Sequence, residues 1–560
     1  GVYYVFSGAA SRRFEHSLGV SHLAKQFVEM LRSNQPELRI TDSDVLCLEV
    51  AGLCHDLGHG PFSHLFDGRF LPTINHNHDF AHEHASIGLF DHLIRVNNLK
   101  PVFSLFGLNE DDIQFIKELM LGDHKESPPG FVWKGRGNKT FLYDIVANKR
   151  NGIDVDKFDY FARDCHVLGV TKSFDSTRLL RFAKVFRVSR DTYGNRGRSA
   201  LNDEVAMSGA INGSPQKNSL VRANSIAGSD ASSSSSSSGV SPLEICFHVK
   251  EAWNLFELFH TRYALHKRAY QHRVGTAVEL MLLEVMLLAD PYLRFSGTGG
   301  ELRKMSECPS DMEAYWKLTD SIIKQIETSY TDELAPARAM IQRLRVRDLF
   351  AFSGEIILSA ERRTQLLQGG TAQIKREMLE LLRAHEAQAS LDCKGSPVPV
   401  ASVPAGAGAK MEVEVVKDED VFCEIVKISY GKGAKNPVSG PTAFYEPKKE
   451  FSEPGPAPTA SARESNNTDS YSCTDSVDDE LRRRQEEEIQ EQNKHWSVGV
   501  IPQDSVSRLT PREFEETYIR VYSRYKRQAA IVRDIFQKWC QQNKVSQPIT
   551  PMKRARQPSE

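Results

Sequence analysis

Residues 51–70, AGLCHDLGHGPFSHLFDGRF, place His55, Asp56, His59, His64 and Asp67 within one short stretch whose other positions are mostly small or apolar. Each of these groups loses solvation if it enters a core, and they follow VLCLEVAGLC, the kind of run a buried helix uses for packing. A single histidine on an apolar face reads as a core residue with one satisfied hydrogen bond. Five polar groups together need a larger compensation. A cation held by imidazole nitrogen and carboxylate oxygen supplies it.

An adjacent His-Asp pair offers both kinds of donor from one turn end to the same ion, and the remaining donors must come from elsewhere in the chain. His16, in RRFEHSLGV, sits on a predicted first helix, and Asp156, in NGIDVDKFDYFARD, on a later one. His16, His55, Asp56 and Asp156 would give two imidazoles and two carboxylates, leaving positions for water or a phosphate oxygen. Iron, zinc, manganese and magnesium all accept such a set.

The elements that must position these donors read as mainly α. From Phe14 to about Asn195 apolar residues recur at three- and four-residue steps, with little strand-like alternation. Thr41 or Asp42 can cap a helix ending near Gly58 and Gly60, which puts His55 and Asp56 on its last turn. Asp156, Tyr160 and Asp164 follow at four-residue steps and share a helical face. The chain divides into a first part of a helical core at 1–190, a Ser/Gly-rich insertion expected to be disordered at 191–243, and a helical continuation at 244–385. A flexible linker at 386–410 then leads to a smaller mixed α/β C-terminal lobe at 411–446 and 496–545, interrupted by a second disordered insertion at 447–495 and followed by a basic tail at 546–560. Within the lobe VEVVKDEDVFCEIVKISYG reads as a strand pair, and residues 511–543 as one final helix.

Composition narrows the function classes. A net charge of -2 over 560 residues gives no global field for nucleic acid or an anionic membrane, so any anion site must be local. The most apolar helical run, AVELMLLEVMLLA, carries two glutamates and falls short of the roughly eighteen residues of a span. Nothing reads as a secretory signal, and the chain is expected to be soluble, without membrane contact. Nine cysteines without a C-x-x-C pair fit a reducing compartment.

The H…HD…D set, with the longer strings RFEHSLGV, AGLCHDLGHGPFSHLFDGRF, KRNGIDVDKFDYFARDC and FHTRYALHKRAYQH, resembles the HD-domain phosphohydrolase superfamily. Within it the strings are most similar to the vertebrate deoxynucleoside triphosphate (dNTP) triphosphohydrolases that carry a SAM domain ahead of the HD domain. The resemblance implies an HD-type helical core that splits a dNTP into deoxynucleoside and inorganic triphosphate by attack at the α-phosphorus, using metal-activated water. His64 would be the general acid for the leaving 5′-oxygen, with Asp67 and His82 orienting or recharging it. His82 is preferred to the neighbouring His84, read as an exposed helical residue. Arg13, His59, Lys157 and Arg262 would meet the triphosphate. Tyr160 and Asp164 would read the sugar, Tyr270 would lie against its C2′ face, and Gln271 would approach the base.

The resemblance further implies a homotetramer assembled by GTP and dNTP effectors, with Val5, Phe6, Arg178, Lys250, Asn254, His272 and Arg273 forming the second-nucleotide pocket. His248 stands where the family has an arginine, and the guanine-specific pocket and SAM domain are expected to have no counterpart here. Thr550, before Pro551 and a basic residue, is a candidate phosphosite expected to tune assembly. The basic cluster around it points to the nucleus, with the cytoplasm second. Two alternatives stay open: another HD-type phosphodiesterase or nuclease, and a non-catalytic binder of single-stranded nucleic acid using the rings and cations of YIRVYSRYKRQ.

Overall fold

A computed structural model describes residues 2–76, 78–122, 131–136, 139–189, 192, 241–392, 416–440, 442–448, 474–502 and 506–548. Thr550, nearly all of the first insertion and part of the second lie outside these residues.

The helical core begins with α1 (Arg13–Asn34) and α2 (Asp42–Cys54). Thr41 caps α2, its hydroxyl accepting from the Asp44 amide at 3.2 Å while Asp44 answers the Thr41 amide at 3.0 Å. α3 (His82–Val96), α4 (Glu110–Leu121) and α5 (Val155–Leu168) follow, then α6 (Ala252–Leu265) and α7 (Arg273–Ala289). Val20, Ala24 and Phe27 of α1, Cys47, Leu48 and Ala51 of α2, Phe158 and Phe161 of α5, and Leu255 and Phe259 of α6 fill one shared apolar core. That core fixes the relative placement of the three elements that carry His16, His55-Asp56 and Asp156. A second core joins the π-helical turn Phe66–Phe70 to α7 and to α8 (Ala335–Arg345).

Strands are more numerous than the periodicity suggests. β1 (Ala183–Arg187) and β2 (Leu243–His248) pair antiparallel inside stretches read as helix. LEICFH is buried on both faces until its last residue, which removes the period-two signal that would mark it as a strand. In the C-terminal lobe, β3 (Ala351–Leu358), β4 (Val421–Ser429) and β7 (Glu515–Ser523) form a sheet with β7 in the centre. Of the strand pair expected over 413–431, the described residues hold one strand, β4, whose partner lies almost ninety residues onward.

The expected final helix at 511–543 is β7 followed by α11 (Ala529–Gln542). Thr517, Ile519, Val521 and Tyr522 suit a central strand, and burial on both faces hides the alternation. The linker boundary also moves. α9 (Gly370–Asp392) runs into 386–410, and Ile374, Met378 and Leu382 pack it against β4 and α11. α10 (Thr474–Asn493) replaces part of the second disordered insertion. Its charge density reads as low complexity, yet Gln485 and Ile489 are buried and Glu486 reaches Arg187 at 3.4 Å. β5 (Phe444–Pro447) and β6 (Trp496–Gly499) extend the β1-β2 sheet, β5 running parallel to β2.

The described cysteines are buried free thiols. No helix among the described residues is long and apolar enough to cross a membrane.

Candidate active site

α2 ends at Cys54, and His55 is its C-cap, so the His-Asp pair projects from the first residues beyond the helix. His55 Nδ1 donates to the Gly52 carbonyl at 2.8 Å, which fixes the tautomer and turns Nε2 outward. His16, on the first turn of α1, donates from Nδ1 to Asp159 Oδ2 at 2.7 Å and presents its own Nε2. His16 Nε2 lies 3.5 Å from Asp56 Oδ2 and 3.1 Å from Asp156 Oδ1. His55 Nε2 lies 3.5 and 3.7 Å from the same two oxygens.

Two ligand bonds of about 2.1 Å meeting at 90–110° place their donor atoms roughly 3.0–3.5 Å apart, so this spacing suits one shared ion. His55 Nε2 is buried with no hydrogen-bond partner, a cost that a cation would remove. The four residues therefore fit a divalent metal, and His16, His55 and Asp56 cluster tightly enough to hold one by themselves. In the protein alone, burial opposes a charged His16, but hydrogen bonds to Asp156, Asp159 and Asp56 outweigh it and push its pKa up to about 11. Burial likewise opposes ionisation of Asp56, and the surrounding imidazoles and Arg13 hold it well below the usual carboxylate range.

Asp159 is a functional residue that sequence reasoning missed. It sits in the quoted DVDKFDYFARD run, one turn after Asp156, and receives Arg163 through two hydrogen bonds of 2.9 and 2.8 Å. A Cβ on Gly19 would fall 1.8 Å from Asp159 Oδ1, so glycine there is what admits the carboxylate beside α1. The available signal was a carboxylate three residues from a ligand on the same helix.

His59, His64, Asp67 and His82 form a second cluster across Asp56. The His59 and His82 rings stack at 4.2 Å, and His59 Nε2 is 3.4 Å from Asp56 Oδ1. His82 Nδ1 lies 2.9 Å from Asp67 Oδ2, and His64 Nδ1 lies 3.6 Å from Asp67 Oδ1. Gly58 makes the stacking possible, since a Cβ there would meet the His82 carbonyl at 2.1 Å and the Ser86 amide at 2.3 Å. Ser86 Oγ then ties the two segments, accepting from the Gly58 amide at 2.8 Å and donating to the His55 carbonyl at 2.7 Å.

Burial opposes charge on Asp67, and the neighbouring His64 and His82 imidazoles overcome it, so this carboxylate stays ionised. His82 is pushed up by Asp67 and Glu83 against its burial. His59 goes the other way. Burial, helped by Arg13, lowers it to about 4, so near neutral pH it is an uncharged imidazole. His84, expected to be exposed, is half-buried.

The residues expected to meet the anion and the sugar lie around these clusters. Arg13 donates to Asp56 and, at 2.7 Å, to Ser63 Oγ. Lys157 reaches Asp154 Oδ2 at 2.8 Å, and Arg262 reaches the Ser429 carbonyl at 2.5 Å. Tyr270 donates its hydroxyl to Asp164, joining two proposed sugar contacts from separate helices, and Tyr160 stands 6.3 Å from the His16 ring. The Gln271 carbonyl accepts from Arg520 of β7, which braces the Tyr270-Gln271 turn from the C-terminal lobe.

The expected second-nucleotide residues fall into two groups. Phe6 packs edge-on to His272 at 5.9 Å, with Val5 beside Gly275 and Arg273 over the Phe352 ring. Arg178, Lys250 and Asn254 gather around Glu251 and His248. α6 and its π-helical extension His266–Tyr270 separate the groups by about 20 Å or more, so one chain does not close a pocket from both. Of the three rings offered for nucleic-acid stacking, Tyr518 and Tyr522 are buried in the sheet and Tyr525 is exposed.

The family described as HD domain matches residues 13–164. The deoxynucleoside triphosphate triphosphohydrolase SAMHD1 of Homo sapiens is 35% identical, covering 99% of this chain and 71% of the relative. The Mus musculus protein of that name is 38% identical over 78% of this chain and 57% of its own length. A Dictyostelium discoideum homolog is 35% identical over 64% of this chain and 54% of its own.

Proposed function

Since the chain belongs to the SAMHD1 family of HD-domain dNTP triphosphohydrolases, we propose that the site described above hydrolyses dNTPs to deoxynucleoside and inorganic triphosphate. The observation that carries this reading is the convergence of His16, His55, Asp56 and Asp156 from three helices, beside a cluster of histidines on one carboxylate. A divalent ion held by the four supplies Lewis acidity to a phosphoryl oxygen and lowers the pKa of water.

The chain's own groups do the rest. Arg13, Lys157 and Arg262 neutralise the phosphates, and neutral His59 donates a hydrogen bond to them. His64 delivers the proton that the leaving 5′-oxygen needs. Its side chain is 77% exposed, so solvent can reload it, while ionised Asp67 holds it and His82 in line. Tyr270, fixed by Asp164, closes the C2′ side of the sugar and selects deoxyribose. Iron, zinc, manganese or magnesium fits the donor set, and GTP and dNTP act as effectors of a homotetramer that brings the two separated nucleotide-contacting groups together between subunits.

The test is to incubate the protein with dGTP, GTP and each divalent metal and to analyse the products. Deoxyguanosine and triphosphate are expected, and neither should form with Asp56→Ala. Release of dGMP and pyrophosphate, or equal turnover by the variant, would overturn the reading. Sedimentation with and without GTP and dGTP tests the tetramer.

A further inference from the structure

The C-terminal lobe reaches the site at a second place besides Arg520. β4 ends at Ser429, and the chain turns through Gly431 and Gly433, whose φ values of +109° and +56° lie in the region that favours glycine. Lys432 lies between them. A Cβ added to Gly431 would sit 3.4 Å from Arg262 Cδ, so the turn rests directly on the arginine that donates to Ser429. A Cβ added to Gly152 would lie 3.9 Å from both Lys157 Cε and Lys432 Cε. The two lysine stems are therefore within about 8 Å of each other, inside the screening length of roughly 8 Å at physiological ionic strength.

Lys432 Nζ also lies 3.5 Å from the carbonyl of Lys149, whose own ammonium is 3.2 Å from Glu83, the neighbour of His82. Arg262, Lys157 and Lys432 thus form a cationic wall contributed by α6, α5 and the lobe. Asp154 is the carboxylate on Lys157, and it is buried beneath that lysine as the N-cap of α5. Asp154 and Asp156 offset the Arg262 charge at the Lys157 ammonium, and cations converging from three elements offer a polyanion several charge-assisted contacts at once.

The position of the wall says which part of a nucleotide it meets. Asp164 and Tyr270 mark the sugar end, and Lys157 precedes Asp164 by two helical turns, about 10 Å along α5. The wall stands at the Asp156 end of that helix, where the phosphate chain of a nucleotide whose sugar lies at Asp164 would extend.

We infer that Lys432 is a specificity-determining residue that contacts the terminal phosphates of the substrate, so that the C-terminal lobe selects a triphosphate over shorter phosphate chains. The inference rests on the dNTP reading and deepens it. An ammonium between two glycines can follow the moving end of a flexible chain, and a single charge is enough to discriminate by chain length.

The test uses the full chain and compares Lys432→Ala and Lys432→Arg with the parent. Inorganic tripolyphosphate and pyrophosphate are titrated calorimetrically, and KM is measured for dGTP. Lys432→Ala is expected to weaken tripolyphosphate and raise the dGTP KM roughly tenfold, one charge-assisted contact, with pyrophosphate binding and melting temperature unchanged. Lys432→Arg should stay within about threefold of the parent. Unchanged tripolyphosphate binding in Lys432→Ala would overturn the inference, as would equal weakening of both anions. If the parent hydrolyses no dNTP while Lys432→Ala still loses tripolyphosphate selectively, the catalytic reading fails and the phosphate contact stands.

Discussion

Two histidine clusters meet at Asp56, one oxygen facing each, and they are built in opposite ways. The His16-His55-Asp56-Asp156 corner draws donors from helices up to 140 residues apart, and its imidazoles are anchored from behind by Asp159 and the Gly52 carbonyl. The His59-His64-Asp67-His82 cluster comes from one sequence-local segment, through the turn after α2, the π-helical Phe66–Phe70 and the first residue of α3, and its His64 stands in solvent. The difference is that between holding and exchanging. A metal site needs donors that cannot turn away, which a packed core and second carboxylates provide. A proton donor must meet both substrate and water, which local, half-exposed turns provide.

The largest effect that could break this comparison is at the shared residue. Asp56→Ala should abolish both bound metal and turnover, read by elemental analysis of purified protein and by triphosphate release. Retained metal would mean that the corner is not one site. His64→Gln should separate the clusters, lowering kcat roughly 10²–10⁴-fold while metal content and dNTP KM stay unchanged. Metal loss in that variant would make His64 a holder rather than an exchanger. Asp159→Asn should act only on the holding side, weakening metal affinity about 10–100-fold in a chelator competition. An unchanged affinity would leave His16 anchored by packing alone.

The holding corner was more legible in the sequence than its supports. His55-Asp56 is a local signal after a capped amphipathic helix, and His16 and Asp156 stand in strings distinctive enough to pair with it. Asp159 was hidden because its role depends on α5 lying against Gly19, a contact between residues 140 apart. The C-terminal lobe was misread for a related reason. β7 is central in its sheet and buried on both faces, so EETYIRVYS carries no alternation, and its aromatic residues fit helix and strand equally. Charge hid α10, whose Gln485 and Ile489 are buried in a mostly polar sequence. The charge state of His59 could not be read either, because it follows from burial beneath Arg13 and beside His82.

That charge state gives the smallest of the expected effects. Burial first, and Arg13 next, lower His59 from 6.5 to about 4 in the folded protein. Between those values the unfolded chain takes up a proton that the folded protein refuses, so stability falls as pH falls. His16 and His82 are raised instead, and the stability they contribute is fully present below 6.5 and declines only above it. The lowered carboxylates Asp67 and Asp156 lose theirs only below the ordinary carboxylate range. Going from pH 6.5 to pH 5 in metal-free protein therefore isolates the lowered histidines, and His59 should account for roughly 1–2 kcal/mol of the loss. Urea denaturation of the parent and His59→Asn at both pH values checks this: the variant's loss should be smaller by that amount. An equal loss would mean that His59 is protonated in the folded protein, and the exchanging cluster would then carry one more charge than its packing implies.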